Sequence, residues 1–253
     1  MSLSSTGLVT RRCYAATYED CDGRAATREH WISRALLERI QGDGSGLRIG
    51  GLSWGAGGRD VSTAALASRM LCGRHNSMLH ALDDAAIDLH DAWLAALLGH
   101  GTGRSLVGDD IERWALKVLV GMVASGGAHL DGRKVRARPN RQVLDALFGF
   151  RALPSPLGFY LVKHGDTDDG LKISVERPPP GHEMAGRAFG ITIQIVTFRF
   201  LTWLGSKPPQ GANLVHRPAG LDFGSLGRID FHWAQGASNP AERLTFQARP
   251  GSP

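Results

Sequence analysis

The feature that most constrains this chain is where its few soft metal-ligand groups fall. Of 253 residues only three are cysteine, Cys13, Cys21 and Cys72, all in the first third, and Cys72 is followed after a two-residue spacer by His75. An odd cysteine count does not build a disulfide framework. The Cys72-Gly73-Arg74-His75 spacing is that of a zinc knuckle, in which a tight turn lets both ligands reach one ion, and three thiolates with an imidazole complete a closed tetrahedral site. Such a site can staple a segment whose loops bury little apolar surface. The first pair is less regular, because seven residues separate Cys13 from Cys21. The competing reading is that all three are ordinary buried thiols.

Composition narrows the class. The chain is 42% hydrophobic and 21% charged, which excludes a wholly disordered protein. The longest apolar stretches, Trp114–Val123 and Phe189–Leu204, are interrupted by Lys117 and by Gln194 and Arg199, so neither reads as a membrane span. No basic region followed by an apolar run opens the chain. No secretory signal is therefore expected, and the expected location is cytoplasmic. Charge is uneven: residues 1–105 hold 11 Arg, no Lys and 11 acidic residues, whereas residues 106–253 hold 18 basic against 13 acidic. That asymmetry permits a polyanionic partner, although the excess of Arg (24) over Lys (5) is equally explained by genome-level bias.

Ser33 is placed to cap a short helix over 34–40, and Ser62 a second running to about Met70. Between them, Gly42–Asp60 carries eight glycines and reads as a loop or hairpin. After the knuckle, Leu79, Leu82, Ala86, Leu89, Trp93 and Leu97 recur at three- and four-residue steps, the apolar stripe of a helix. Asp83-Asp84 lies off that stripe and reads as a wet helix face. A buried helix is expected over 111–124, capped by Asp109 or Asp110, and a short one over 142–148. Strands are expected at 159–162, 171–175, 189–195 and 228–233, where apolar residues alternate or cluster between turn residues. Pro178–Pro180 reads as a linker, and the tail from Ala248 as disordered. Gly99–Gly103 marks the boundary between residues 1–103 and a mixed α+β domain over 104–253.

Between the cysteine pairs lies Thr27-Arg28-Glu29-His30, and Asn76 directly follows His75. On the residues Cys13…Cys21…Glu29-His30…Cys72-Gly73-Arg74-His75-Asn76 the N-terminal third resembles the HNH (ββα-metal, treble-clef) endonuclease superfamily. The resemblance implies an α+β fold in which a zinc-stabilised treble-clef module precedes the second domain. It implies that Cys13, Cys21, Cys72 and His75 hold a structural Zn²⁺, that Glu29 and Asn76 hold a catalytic Mg²⁺ or Mn²⁺, and that His30 is the general base. The chemistry suits these residue types: neutral His deprotonates water near pH 7, and Mg²⁺ retains several waters, so two protein ligands suffice. Three features depart from the pattern. Glu stands at 29 where Asp or His is more usual, residues 31–71 hold no Asn, and the final knuckle ligand is His75 rather than Cys, which leaves a place in the catalytic site as the alternative role of His75.

Arg28 and Arg34 flank the Glu-His pair and are candidates for phosphate contact. The run 133–141 places Arg133, Lys134, Arg136, Arg138 and Arg141 in nine residues without an acid, which reads either as a phosphate-tracking segment or as a solvated loop. The expected function is metal-dependent hydrolysis of nucleic-acid phosphodiesters, DNA before RNA, with the C-terminal domain positioning nucleic acid or a protein partner. The alternative is a non-catalytic zinc module that binds nucleic acid or a protein. No membrane partner is expected.

Overall fold

The computed structural model describes residues 7–41, 47–50, 59–100, 103–130, 132–135, 137–163, 171–177, 188–211, 213–234 and 239–246. The expected linker at Pro178–Pro180 and the tail from Ala248 lie outside them. The fold is mixed α+β. Strand β1 (Thr27–His30) is followed by helix α1 (Arg34–Gln41), hairpin strands β2 (Leu47–Gly50) and β3 (Arg59–Val61), and β4 (Ala67–Leu71). Helices α2 (Gly73–Ser77), α3 (His80–Leu97) and α4 (Gly108–Ser125) come next, with β5 (Arg104–Val107) between the last two. The hairpin of β6 (His129–Leu130) and β7 (Arg133–Lys134) leads to α5 (Arg141–Leu147). The rest is strands: β8 (Gly158–Val162), β9 (Leu171–Glu176), β10 (Gly190–Ile195), β11 (Phe198–Trp203), β12 (Leu214–His216), β13 (Pro218–Asp222), β14 (Arg228–His232) and β15 (Asn239–Thr245).

Most of these elements follow from local chemistry. The Ser33 hydroxyl accepts from the Leu36 amide at 3.4 Å, and Asn140 accepts from Val143 at 2.9 Å, each at the start of its helix. The helix expected to run to Met70 is instead a 3₁₀ turn over Thr63–Leu66 followed by strand β4. Pairing accounts for the difference. β4 is antiparallel to β1, with Arg28 opposite Arg69 and Glu29 opposite Ser68, and this ladder overrides the helical preference of an Ala-rich stretch. Helix α4 takes no side-chain cap; Asp109 and Asp110 sit in its first turn rather than before it.

A seven-stranded sheet of order β12-β8-β11-β10-β9-β2-β3 takes its last two strands from the Gly-rich hairpin. A four-stranded sheet, β15-β13-β14-β5, lies apart from it, and β1 and β4 form a third. Strands from both sides of residue 103 thus share the large sheet, and one contiguous apolar core runs from Cys13 to Leu244. Helix α4, apolar around most of its circumference, packs against α3, α5, β4, β10, β11 and β14. Trp31, the residue after the Glu-His pair, lies against its C-terminal end, where a Cβ on Gly127 would meet the indole at 2.3 Å and one on Gly121 would meet Met70 at 3.1 Å. Close approach at these two glycines seats β1 and β4 on α4. At the other end, Glu112 accepts from Arg217 at 2.7 and 2.8 Å and from the Phe159 amide at 2.7 Å, a buried pair with its lone pairs satisfied.

Candidate metal centre and adjoining cleft

Cys13 lies in the loop before a 3₁₀ turn (Ala16–Tyr18), and Cys21 follows that turn. Cys72 directly follows β4 at the N-cap position of α2, without a side-chain cap bond, and His75 sits in α2. All four side chains are buried, and their ligand atoms lie within 4.8 Å of one another. His75 Nδ1 is 3.1 Å from Cys72 Sγ, 3.4 Å from Cys13 Sγ and 4.0 Å from Cys21 Sγ. A tetrahedron of ~2.3 Å metal–sulfur bonds has edges near 3.7 Å, so this cluster can hold a metal ion such as zinc. No disulfide joins the three thiols.

The electrostatics agree with a metal site. Burial lowers the His75 pKa, which favours the neutral imidazole that ligates metals. Burial pushes the Cys13 and Cys21 thiols up, chiefly by desolvation, so a cation is needed to hold them as thiolates. The other ring nitrogen, His75 Nε2, lies 2.9 Å from Oδ1 of the fully buried Asp20, whose Oδ2 is 3.4 Å from Arg74 Nε. This is the carboxylate–histidine–metal arrangement that fixes which nitrogen faces the ion. Asp20 was not singled out in the sequence; its one signal is an acid directly preceding a ligand cysteine. Aromatic rings wall the cluster: Tyr18 and Phe148 lie 5.9 and 5.4 Å from the imidazole, and Phe148 belongs to the chain beyond residue 103. Replacing Asp20 by Asn is expected to weaken metal retention ~10–100-fold, measured by competition with a chromogenic chelator. Unchanged retention would remove Asp20 from this role.

The residues of the expected catalytic group lie on β1 and α2, the elements next to the metal-ligand cluster. Strand alternation holds along β1: Arg28 is exposed, Glu29 buried and His30 half-buried. Burial also lowers the His30 pKa, against the opposing pull of Glu29, so its imidazole is neutral at pH 7. Helix α2, which carries Asn76, packs against β1 and β4. Asn76 Oδ1 is buried and has no hydrogen-bond partner.

Two residues that the sequence reading left out of the catalytic group join Glu29 in a largely buried ion cluster. Lys117 Nζ, on α4 and 1% exposed, lies 3.0 Å from Glu29 Oε1 and 2.9 Å from both carboxylate oxygens of Asp83 on α3. Asp83 is therefore not a wet helix face: it is turned inward by an ammonium arriving from a different helix. Desolvation raises the Asp83 pKa, and Lys117 opposes that rise. Two carboxylates and one ammonium leave a formal excess of one negative charge.

The expected phosphate contacts are spread over the surface. Arg28 is exposed and donates to the Ala64 carbonyl at 2.7 Å, and Arg34 pairs with Glu38 at 2.7 Å. Arg133 and Lys134 are exposed on β7. Arg138 is exposed beside a cavity of about 260 Å³. Arg141 is spoken for, bonded to Asp145 at 2.9 Å and stacked 4.1 Å over the Tyr18 ring. Arg136 lies outside the described residues. Among the described residues no helix is long and apolar enough to cross a membrane. Compared with protein-family models, with curated proteins and with solved structures, the chain matches none, so its function must be argued from these sites themselves.

Proposed function

We propose that this chain is a zinc-stapled, HNH-type nuclease that hydrolyses nucleic-acid phosphodiesters, DNA in the first instance, in a reducing compartment such as the cytoplasm. The observation that carries this reading is the order of elements: an antiparallel β1–β4 ladder passes through Cys72 directly into α2. Glu29-His30 thereby lies on the first strand and Asn76, its buried Oδ1 unpartnered, on the helix that packs against it. In this reading zinc is the metal of the Cys13/Cys21/Cys72/His75 cluster.

A second, catalytic Mg²⁺ or Mn²⁺ would take oxygen donors: the Glu29 and Asp83 carboxylates, which contact the Lys117 ammonium, and Asn76, whose buried Oδ1 has no hydrogen-bond partner. Glu29 and Asn76 would hold the ion, with Asp83 adding a third oxygen. When bound, such an ion supplies positive charge at the leaving 3′-oxygen. His30, held neutral by burial, takes the proton from the attacking water. The Lys117–Glu29 contact favours a second reading, in which the carboxylate is permanently neutralised and the module binds nucleic acid without cutting it.

Cleavage of supercoiled plasmid with Mg²⁺ or Mn²⁺ separates the two. The wild type is expected to nick only with added metal, and His30→Ala to lose ~10²–10⁴-fold of that rate. Equal rates in both proteins would overturn the assignment of His30. Salt-dependent binding without cleavage in either metal would establish the second reading.

A further inference from the structure

A cavity of about 450 Å³ opens beside the metal centre, and four of the residues lining it are arginines: Arg11, Arg12, Arg24 and Arg69. All four are exposed, and among the described residues no carboxylate lines the cavity. Asp22 is the acid nearest in sequence to Arg24, and its oxygens are directed to backbone: Oδ1 accepts from the Arg24 amide at 3.0 Å and Oδ2 from the Arg74 amide at 3.2 Å. This segregation is notable because residues 1–105 contain equal numbers of basic and acidic side chains. Several acids of that half are engaged elsewhere: Glu29 and Asp83 with Lys117, Asp20 with His75, Glu38 with Arg34 and Asp91 with Arg39.

A second feature points the same way. Arg69 on β4 stands directly opposite Arg28 on β1, both exposed. Like charges at directly opposed strand positions are destabilising, and a bound anion turns that repulsion into a bidentate clamp.

We propose that this arginine cleft binds the sugar–phosphate backbone of a nucleic acid, and that the metal centre is what assembles it. Each of the four arginines lies within three residues of a metal ligand: Arg11 and Arg12 just before Cys13, Arg24 three after Cys21, and Arg69 three before Cys72. Three chain segments that are remote in sequence converge on one cavity because their neighbouring side chains converge on one ion. The metal thus serves binding as well as folding. The contact set is phosphate-directed, so it is independent of base sequence and strongly salt-dependent. The cleft deepens the nuclease reading by supplying its substrate grip, but it rests on binding alone and survives if cleavage does not occur.

The test is fluorescence anisotropy of the full chain with labelled duplex DNA, and in a second arm duplex RNA, without added divalent ions and over a range of salt. Arg11→Gln, Arg12→Gln, Arg24→Gln and Arg69→Gln are combined, with Arg133→Gln/Lys134→Gln as the comparison. The substitutions are all at exposed positions, and metal content and melting temperature verify that the variant is folded. Loss of about 3–4 from the log–log salt slope, at ~0.9 per phosphate contact, with an affinity loss on the order of 10²-fold at low salt, is the expected outcome. Comparison of the DNA and RNA arms identifies which backbone is preferred. Undiminished binding by the quadruple variant, or no binding of either duplex by the wild type, overturns the proposal. Arginine-dependent binding in a wild type that never nicks plasmid sustains the cleft and rejects the nuclease reading alone.

Discussion

A Cys72→Ser chain, or the wild type stripped by a strong chelator, is expected to lose the fold of its N-terminal third and to melt far below the metal-loaded protein. Structural zinc contributes ~10–16 kcal/mol of apparent binding free energy at neutral pH, and a domain's whole net stability is of order 5–15 kcal/mol. The loop from Val9 to Thr27 holds little regular structure beyond a three-residue 3₁₀ turn; Cys13 and Cys21 anchor it together with the buried Tyr14 and Tyr18 and the bond from the Tyr14 amide to the Met70 carbonyl at 3.0 Å. Without an ion, three buried thiols remain in an apolar shell with no cation to hold them as thiolates, and Asp20 keeps only its contacts with His75 and Arg74. The damage should reach further than the ligands. Tyr18 donates to Asp145 at 2.9 Å and packs on Phe148 and Phe150 at 5.6 Å each, so release of the loop uncovers the end of α5. Metal analysis of the purified protein together with a thermal melt checks this. A metal-free chain melting at the wild-type temperature would show that the cluster is merely a set of buried thiols.

How much of this was legible in the sequence depends on how far apart the partners lie. The knuckle spacing and the α3 stripe are local patterns, and both appear where the spacing puts them, α3 extending over His80–Leu97. The alternation at 189–195 and 228–233 likewise identifies β10 and β14 to within a residue or two. β4 was hidden because Ala64–Met70 has helical composition, and only its partner strand, some 40 residues earlier, makes it extended. Asp83 was misread for the same reason. A carboxylate off the apolar stripe of a helix normally faces water, and nothing within α3 reveals that α4 delivers a lysine to it. Asp20 and His75, 55 positions apart, are likewise joined only by the fold. The expected boundary at residue 103 rested on a glycine cluster; the Gly-rich hairpin crossing to the large sheet and Trp31 packing on the end of α4 are long-range events with no local signature.

Lys117 is the residue whose replacement should say most about the Glu29–Asp83 cluster. Lys117→Met preserves the length and apolar stem of the side chain, yet leaves Glu29 and Asp83 facing each other without a counter-charge. Removing one partner of a buried ion pair costs ~3–5 kcal/mol, and here two carboxylates lose the same partner. The pH dependence has a definite sign. Burial already raises the Asp83 pKa while Lys117 opposes the rise, so in the variant the native state holds its proton to still higher pH than the unfolded chain, whose carboxyl titrates near ~3.9. Between those two values the native state binds more protons, and stability falls as pH rises. The penalty is therefore full only above the raised native pKa and shrinks as pH falls toward the unfolded value of ~3.9. Divalent metal should substitute for the missing ammonium: Mn²⁺ at ~100 times its dissociation constant would return about 2.7 kcal/mol, read as a rise in melting temperature larger than that of the wild type. Such a rise would identify the Glu29–Asp83 pair as a cation site that Lys117 ordinarily fills, with metal and lysine competing for it. A variant as stable as the wild type and indifferent to Mn²⁺ would instead make the three-residue cluster dispensable, and with it the carboxylate ligands on which the proposed metal-dependent cleavage would rely.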